Sequence, residues 1–218
     1  MNWERLGPTF TEALAQTAYM LFWAMLVGGL IGLAIGVGLY VSRSGNLLSN
    51  RVVFAVLNVA VNIVRPIPFI IFLFAIGPLT KAVVGTTIGT EAATFAMALM
   101  AGFAFSRLVE QNLVSLDPGV IEAARAMGAS PLRIILTVLI PEALAPLILG
   151  YTFLFIGVLD MSAMAGYIGG GGIGDFAMVY GYQQYDWTVT YIVVGVIIVI
   201  VQLAQLLGNY LARKAMHR

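Results

Sequence analysis

The sequence has no cysteine and a single histidine, and only 10% of its 218 residues are charged. Without cysteine there is no disulfide, no thiolate nucleophile and no cysteine-held zinc or iron–sulfur centre. His217 stands in a basic tail and reads as a solvated side chain rather than a general base, so serine–histidine hydrolysis and histidine–metal sites lack partners. No G-x-x-x-x-G-K-[S/T] occurs, so the chain does not itself carry a phosphate-cradling P-loop. The formal net charge of +1, with neither a polybasic arm nor an acidic tail, gives no support for nucleic-acid binding. Charge this sparse contrasts with about a quarter of residues in a soluble domain.

What is present is apolar: 61% of the residues are hydrophobic. Five stretches stand out, residues 13–41, 52–79, 92–114, 139–159 and 188–212, each bounded by charges or by glycine and proline clusters. A bilayer-spanning helix needs about 20 such residues. All five are therefore expected to cross a membrane, leaving no room for a sizeable catalytic domain. The first stretch exceeds the hydrophobic core of a secretion signal, and Glu4, Arg5 and Glu12 precede it instead of a positive cluster, so it reads as a retained span. The second contains Arg65-Pro66-Ile67-Pro68, where proline removes a backbone donor and disfavours helix in the residue before it. The expectation is an interfacial piece over 51–64 followed by a span from Pro66 to about Val84.

Orientation follows from lysine and arginine placement. With the N-terminus outside, Arg43, Arg51, Arg107, Arg125, Arg133, Arg213, Lys214 and Arg218 fall inside, and only Arg5 and Lys81 outside. Three charges lie near membrane depth, Arg65, Glu110 and Asp160; structural roles are favoured for the last two, which sit near the ends of their spans. Gly28, Gly32 and Gly36 form two overlapping G-x-x-x-G patterns that allow close helix approach, either within one subunit or between two copies. Gly169, Gly171 and Gly174 spell a dinucleotide fingerprint, but they follow a span rather than a strand. A flexible outward loop or re-entrant turn fits better.

One long polar stretch lies on the inner side, between the third and fourth spans. Asp117 is positioned to cap a short helix that Pro118 begins, and Gly128 to end it in a left-handed conformation. Ser130 is expected to cap a second helix starting at Pro131, and Pro141 to restart the chain as the fourth span.

Within this stretch, Glu122-Ala123-Ala124, three residues, Gly128, and then Val138-Leu139-Ile140-Pro141 resemble the EAA loop of ABC importer permeases, written E-A-A, three residues, G, nine residues, I-x-L-P. Val138 and Ile140 depart from the pattern, apolar for apolar, with the spacing intact. Together with residues 62–71, 122–131, Ser162-Ala-Met-Ala-Gly and Gly169-Gly-Gly-Gly-Ile-Gly, almost the whole chain is similar to the MetI-like family of methionine-uptake permeases. The resemblance implies an all-α integral membrane protein with five transmembrane helices per subunit and a type I ABC importer permease fold. Residues 1–218 would form a single transmembrane domain with a cytoplasmic coupling loop at about 115–138.

It further implies that Glu122, Ala123, Ala124, Arg125, Gly128, Ser130, Pro131 and Pro141 couple the permease to a cytoplasmic ATPase dimer, which holds the ATP and magnesium; this chain itself is expected to hold no cofactor. A second permease copy would complete a homodimer in the bacterial inner membrane, and a periplasmic or lipoprotein binding protein would deliver methionine for alternating-access transport. Met164 falls where that family places a gate-forming methionine, although filling a helix–helix gap accounts for it equally well. Ser162 and Arg65 are the other candidates for the translocation path, Arg65 being equally suited to anchoring at the interface. Another amino acid or small organic solute as cargo, or a stand-alone channel or secondary transporter, are the competing readings.

Overall fold

The computed structural model describes residues 3–216; His217 and Arg218 lie outside them. The described chain is helical throughout, with no strand among the described residues. Helix α1 (Trp3–Ser42) runs 40 residues, or roughly 60 Å at about 1.5 Å per residue, against a hydrocarbon core of about 30 Å. Helices α2 (Arg51–Val64), α3 (Phe69–Ala75) and α4 (Gly77–Val84) follow. Then come the long α5 (Thr90–Val114), the short α6 (Pro118–Ala126), α7 (Pro131–Ile134) and α8 (Ile140–Glu142), the long α9 (Leu144–Ala165), the short α10 (Gly172–Phe176), and finally α11 (Trp187–Met216).

Helices α1, α5, α9 and α11 are each long and apolar enough to cross a membrane, and the broken segment α2–α3 supplies a fifth candidate. As the prolines imply, α2 and α3 meet at a bend of 111°. Asn50 caps α2, its Oδ1 accepting from the amides of Val52 and Val53 at 3.0 and 3.1 Å. Gly85, with φ +88°, ends α4 in the left-handed region that favours glycine.

The centre of the bundle is the α1–α5 crossing, and its glycines are the reason the two backbones meet. A Cβ on Gly28 would lie 2.7 Å from Ala101 Cβ, one on Gly32 2.7 Å from Phe105 Cβ, and one on Gly36 2.5 Å from the Ser106 carbonyl oxygen. The G-x-x-x-G stripe is therefore consumed inside the subunit. Gly29, one residue off that stripe, faces Tyr151 of α9, whose hydroxyl donates to the Met25 carbonyl at 2.8 Å and whose ring stands edge-on to Phe105. One tyrosine thus ties α9 to both central helices. α11 packs on the outside, with 11% of its apolar window buried, and crosses α9 closely where Gly208 meets Thr152. Its exposed Tyr191, Val194, Ile198, Leu203 and Leu206 suit contact with lipid.

Alternation of the spans sorts the connections into two ends. One carries the α1–α2 connection, the polar loop and the α11 terminus; the other carries the α4–α5 connection and the glycine-rich turn between α9 and α11.

Candidate functional site

At the first end, α6 and α7 form a two-helix knob held out from the bundle. Asp117 caps α6 as expected, its Oδ1 accepting from the Gly119 amide at 2.8 Å. The helix stops in a Schellman arrangement around Gly128: the Ala129 amide donates to the Ala124 carbonyl at 3.2 Å and the Gly128 amide to that of Arg125 at 2.9 Å. With φ +78° at Gly128, a side chain there would be strained. Ser130 occupies the cap position of α7, but its side chain makes no capping hydrogen bond; the Ile134 amide instead donates to its backbone carbonyl at 3.0 Å.

The knob is amphipathic across its two helices. Ile121, Ala124 and Ile134 are buried in the main core, whereas Glu122, Ala123, Arg125, Met127, Gly128, Pro131 and Leu132 are exposed. Met127 at 81% and Leu132 at 66% exposure are apolar side chains held away from the bundle, which marks the outer face as a contact surface. Between α6 and the α1–α2 connection lies a groove of about 310 Å³ lined by Tyr40, Arg43, Asn46, Ile121, Glu122 and Arg125.

The expected restart of the chain at Pro141 needs correction. The segment after α7 continues as wide turns over Ile135–Leu139 into α8, with the next span, α9, beginning only at Leu144. Proline lacks an amide and crowds the carbonyl four residues earlier, and a widened turn is one way a helix accommodates that defect. The knob therefore joins the span through a nearly continuous, locally overwide helix rather than through a loop.

At the opposite end, the glycines from 169 to 174 form a closely packed turn, not a flexible loop. Gly169, Gly171 and Gly172 adopt positive φ, and the backbone doubles back so tightly that a Cβ on Gly174 would lie 2.4 Å from the Ala163 carbonyl oxygen. The turn is pinned to α1: Gln16 Oε1 accepts from the Gly172 amide at 2.7 Å and Thr17 Oγ1 from the Ile173 amide at 2.8 Å. Ile173 and Phe176 then pack with Ala13, Val189 and Val193 in a second apolar cluster. Close backbone approach is what the pattern provides, with no strand among the described residues.

The other candidates do not converge on one site. Met164 is 38% exposed on the last turn of α9, whereas Ser162 is buried with its hydroxyl donating to the Leu159 carbonyl at 2.7 Å. Arg65 is exposed at the α2–α3 bend and has no ion-pair partner among the described residues. A cavity of about 530 Å³ between α1, α9 and α11 is almost wholly apolar, and none of the candidate residues lines it. Glu110, by contrast, is buried at 4% exposure and paired with Arg107.

Residues 28–217 match the family described as the binding-protein-dependent transport system inner membrane component. The chain belongs to this family. It is 42% identical over 203 residues to the probable D-methionine transport system permease protein MetI of Vibrio cholerae, covering 93% of this chain and 90% of that protein. The methionine import system permease protein MetP of Bacillus subtilis is 41% identical over 171 residues, covering 78% and 77%. A solved structure of the MetNI methionine ABC transporter in an inward-facing conformation superposes with a TM-score of 0.94 at 38% identity, covering 99% of each chain. The architecture is thus the type I ABC permease fold that the EAA motif implied, in a multi-pass membrane protein.

Sequence reasoning did not single out the polar side chains that surround Glu110. Arg107 donates to Glu110 and, through its other terminal nitrogen, to Asn58 at 3.0 Å and to Asn62; Asn62 donates to Asn58 at 3.2 Å, and Arg43 stands 4.0 Å from Glu110. The signal was available: Asn58 and Asn62 are spaced i, i+4 in an otherwise apolar segment, and Arg107 and Glu110 i, i+3 in an apolar helix.

Proposed function

We propose that this chain is the permease subunit of an ATP-driven importer of methionine or a closely related amino acid, working as a homodimer by alternating access. Its partners are a cytoplasmic ABC ATPase dimer, in which ATP and magnesium reside, and a periplasmic or lipoprotein binding protein. The observation that carries the coupling role is the α6–α7 knob: Ile121, Ala124 and Ile134 are rooted in the core while Glu122, Arg125, Met127 and Leu132 project outward. A rigid, capped projection of this kind can be pushed as a unit by a partner that grips its outer face.

Lysine and arginine placement supports an orientation with the N-terminus outside and the C-terminus inside, since the end bearing the knob also carries Arg43, Arg51, Arg107, Arg125, Arg133, Arg213 and Lys214, and the bacterial relatives support the inner membrane. In this reading Glu122, Ala123, Ala124, Arg125, Gly128, Ser130, Pro131 and Pro141 transmit ATPase closure, and Met164, with Arg65 and Ser162 as subsidiary candidates, borders the path in an inward-facing state. The similarity to methionine permeases, together with the superposition on an inward-facing methionine transporter, supports the cargo and the state.

The test is uptake by the purified permease–ATPase complex in vesicles supplied with the binding protein. Methionine should accumulate only with ATP, and Glu122→Ala or Gly128→Val should abolish accumulation while the permease still folds. ATP-driven uptake of a different solute with none of methionine would remove the cargo assignment, and uptake indifferent to both substitutions would remove the coupling assignment.

A further inference from the structure

Glu110 keeps a carboxylate in the core of the bundle, and the way it is neutralised joins three helices. On α5, Arg107 donates to it; from the end of α1, Arg43 approaches to 4.0 Å. Arg107 is simultaneously shared with Asn58 and Asn62 on α2. No buried polar side-chain atom is left without a partner among the described residues.

The position of this cluster matters as much as its chemistry. α2 has one buried residue, Val61, and is bounded by the α1–α2 connection on one side and the 111° bend at Arg65–Pro68 on the other. It is an arm with a hinge, held against the bundle by buried Val61 and by the asparagines. On the opposite side, Glu110 is seven residues before Asp117, the cap of the knob, and Arg43 lines the groove it shares with Glu122 and Arg125. The knob thus follows directly on the end of α5 and faces Arg43 across the groove.

Resting on the importer reading above, we propose that Arg43, Arg107, Glu110, Asn58 and Asn62 form a transmission element that converts movement of the α6–α7 knob into movement of the α2 arm. A buried carboxylate must retain a cation. When Arg43 is drawn away, Glu110 takes Arg107 more fully and Arg107 releases the asparagines; when Arg43 returns, Arg107 is shared again and the arm is held. Sharing and release are two discrete arrangements, which is what a coupling element requires. These residues position α2; they touch neither substrate nor nucleotide.

The experiment measures ATP hydrolysed per methionine transported, in vesicles containing the whole transporter. In the double variant Asn58→Leu with Asn62→Leu, and in Glu110→Gln, hydrolysis continues while uptake falls, raising that ratio roughly tenfold, within the 5–150-fold range of ordinary coupling. Asn62→Gln keeps a neutral amide acceptor for Arg107 and retains the wild-type ratio. A merely structural role would lower hydrolysis and uptake together with the amount of assembled complex, leaving the ratio unchanged in every variant, and that result overturns the proposal. Should Glu110→Gln fail to assemble, the asparagine variants, which lie on a partly exposed helix, decide the matter. Failure of the wild-type complex to take up methionine would instead refute the cargo reading, and the ratio is then measured with the solute it does transport.

Discussion

Replacing Gly36 by alanine drives a methyl group into α5. The new Cβ would lie 2.5 Å from both the Ser106 carbonyl oxygen and Val109 Cβ, whereas non-bonded carbons rest about 3.5–4.0 Å apart. The two helices must separate by about 1 Å at this crossing, and the atoms in the way are backbone and Cβ, which cannot rotate aside. Overpacking of this kind costs about 1–3 kcal/mol. Alanine recovers up to about 1 kcal/mol of helix propensity, leaving a net loss of up to about 2 kcal/mol. Gly195 on α11 is the internal control, because nothing lies within 4 Å of its added Cβ. Thermal unfolding of the purified permease should show Gly36→Ala melting lower by up to about 8 °C, at about 2–4 °C per kcal/mol for a chain of this size, and Gly195→Ala melting unchanged or slightly higher. Equal effects at the two positions would refute the packing argument. A Gly36→Ala protein that kept its melting temperature but lost its second copy on cross-linking would return the glycine stripe to an interface between subunits.

Thr17→Val preserves shape but removes the acceptor for the buried Ile173 amide, so thermal stability should fall by the equivalent of about 1–3 kcal/mol; no change would mean that the glycine turn is not pinned through Thr17. Asp117→Ala removes the α6 cap at a cost of about 1 kcal/mol. Amide exchange over residues 119–124 should therefore accelerate about fivefold while the melting temperature moves little, and unaltered exchange would show that the cap does not stabilise the knob.

Much of this protein is legible in one dimension because its rules are local. The number of spans follows from apolar length, and the bend in the second from Arg65-Pro66-Ile67-Pro68, since proline removes a donor wherever it stands. The EAA spacing identified the knob, and Asp117 and Gly128 read correctly because caps involve neighbours in sequence. Reading Ser130 as a side-chain cap failed because its backbone position alone satisfies the start of α7. The entry into α9 was misjudged because a proline can be accommodated by a widened turn as well as by a break, and the sequence does not distinguish the two.

Tertiary structure decided what each glycine faces. Gly28, Gly32 and Gly36 carry the same pattern whether the partner is α5 or another copy, and only the fold supplies Ala101, Phe105 and Ser106 at 2.5–2.7 Å from the built Cβ positions. For the glycines at 169–174 the sequence leaves a flexible loop and a re-entrant turn both open, because their partners, Gln16 and Thr17, are 156 residues away along the chain. The same holds for Arg107 and Asn58, 49 residues apart. Composition and proline placement determined that this chain crosses a membrane and where it bends. Which buried charge is neutralised by which distant side chain depends on how the helices are packed, because ion pairs and close backbone approach are settled by distances in space.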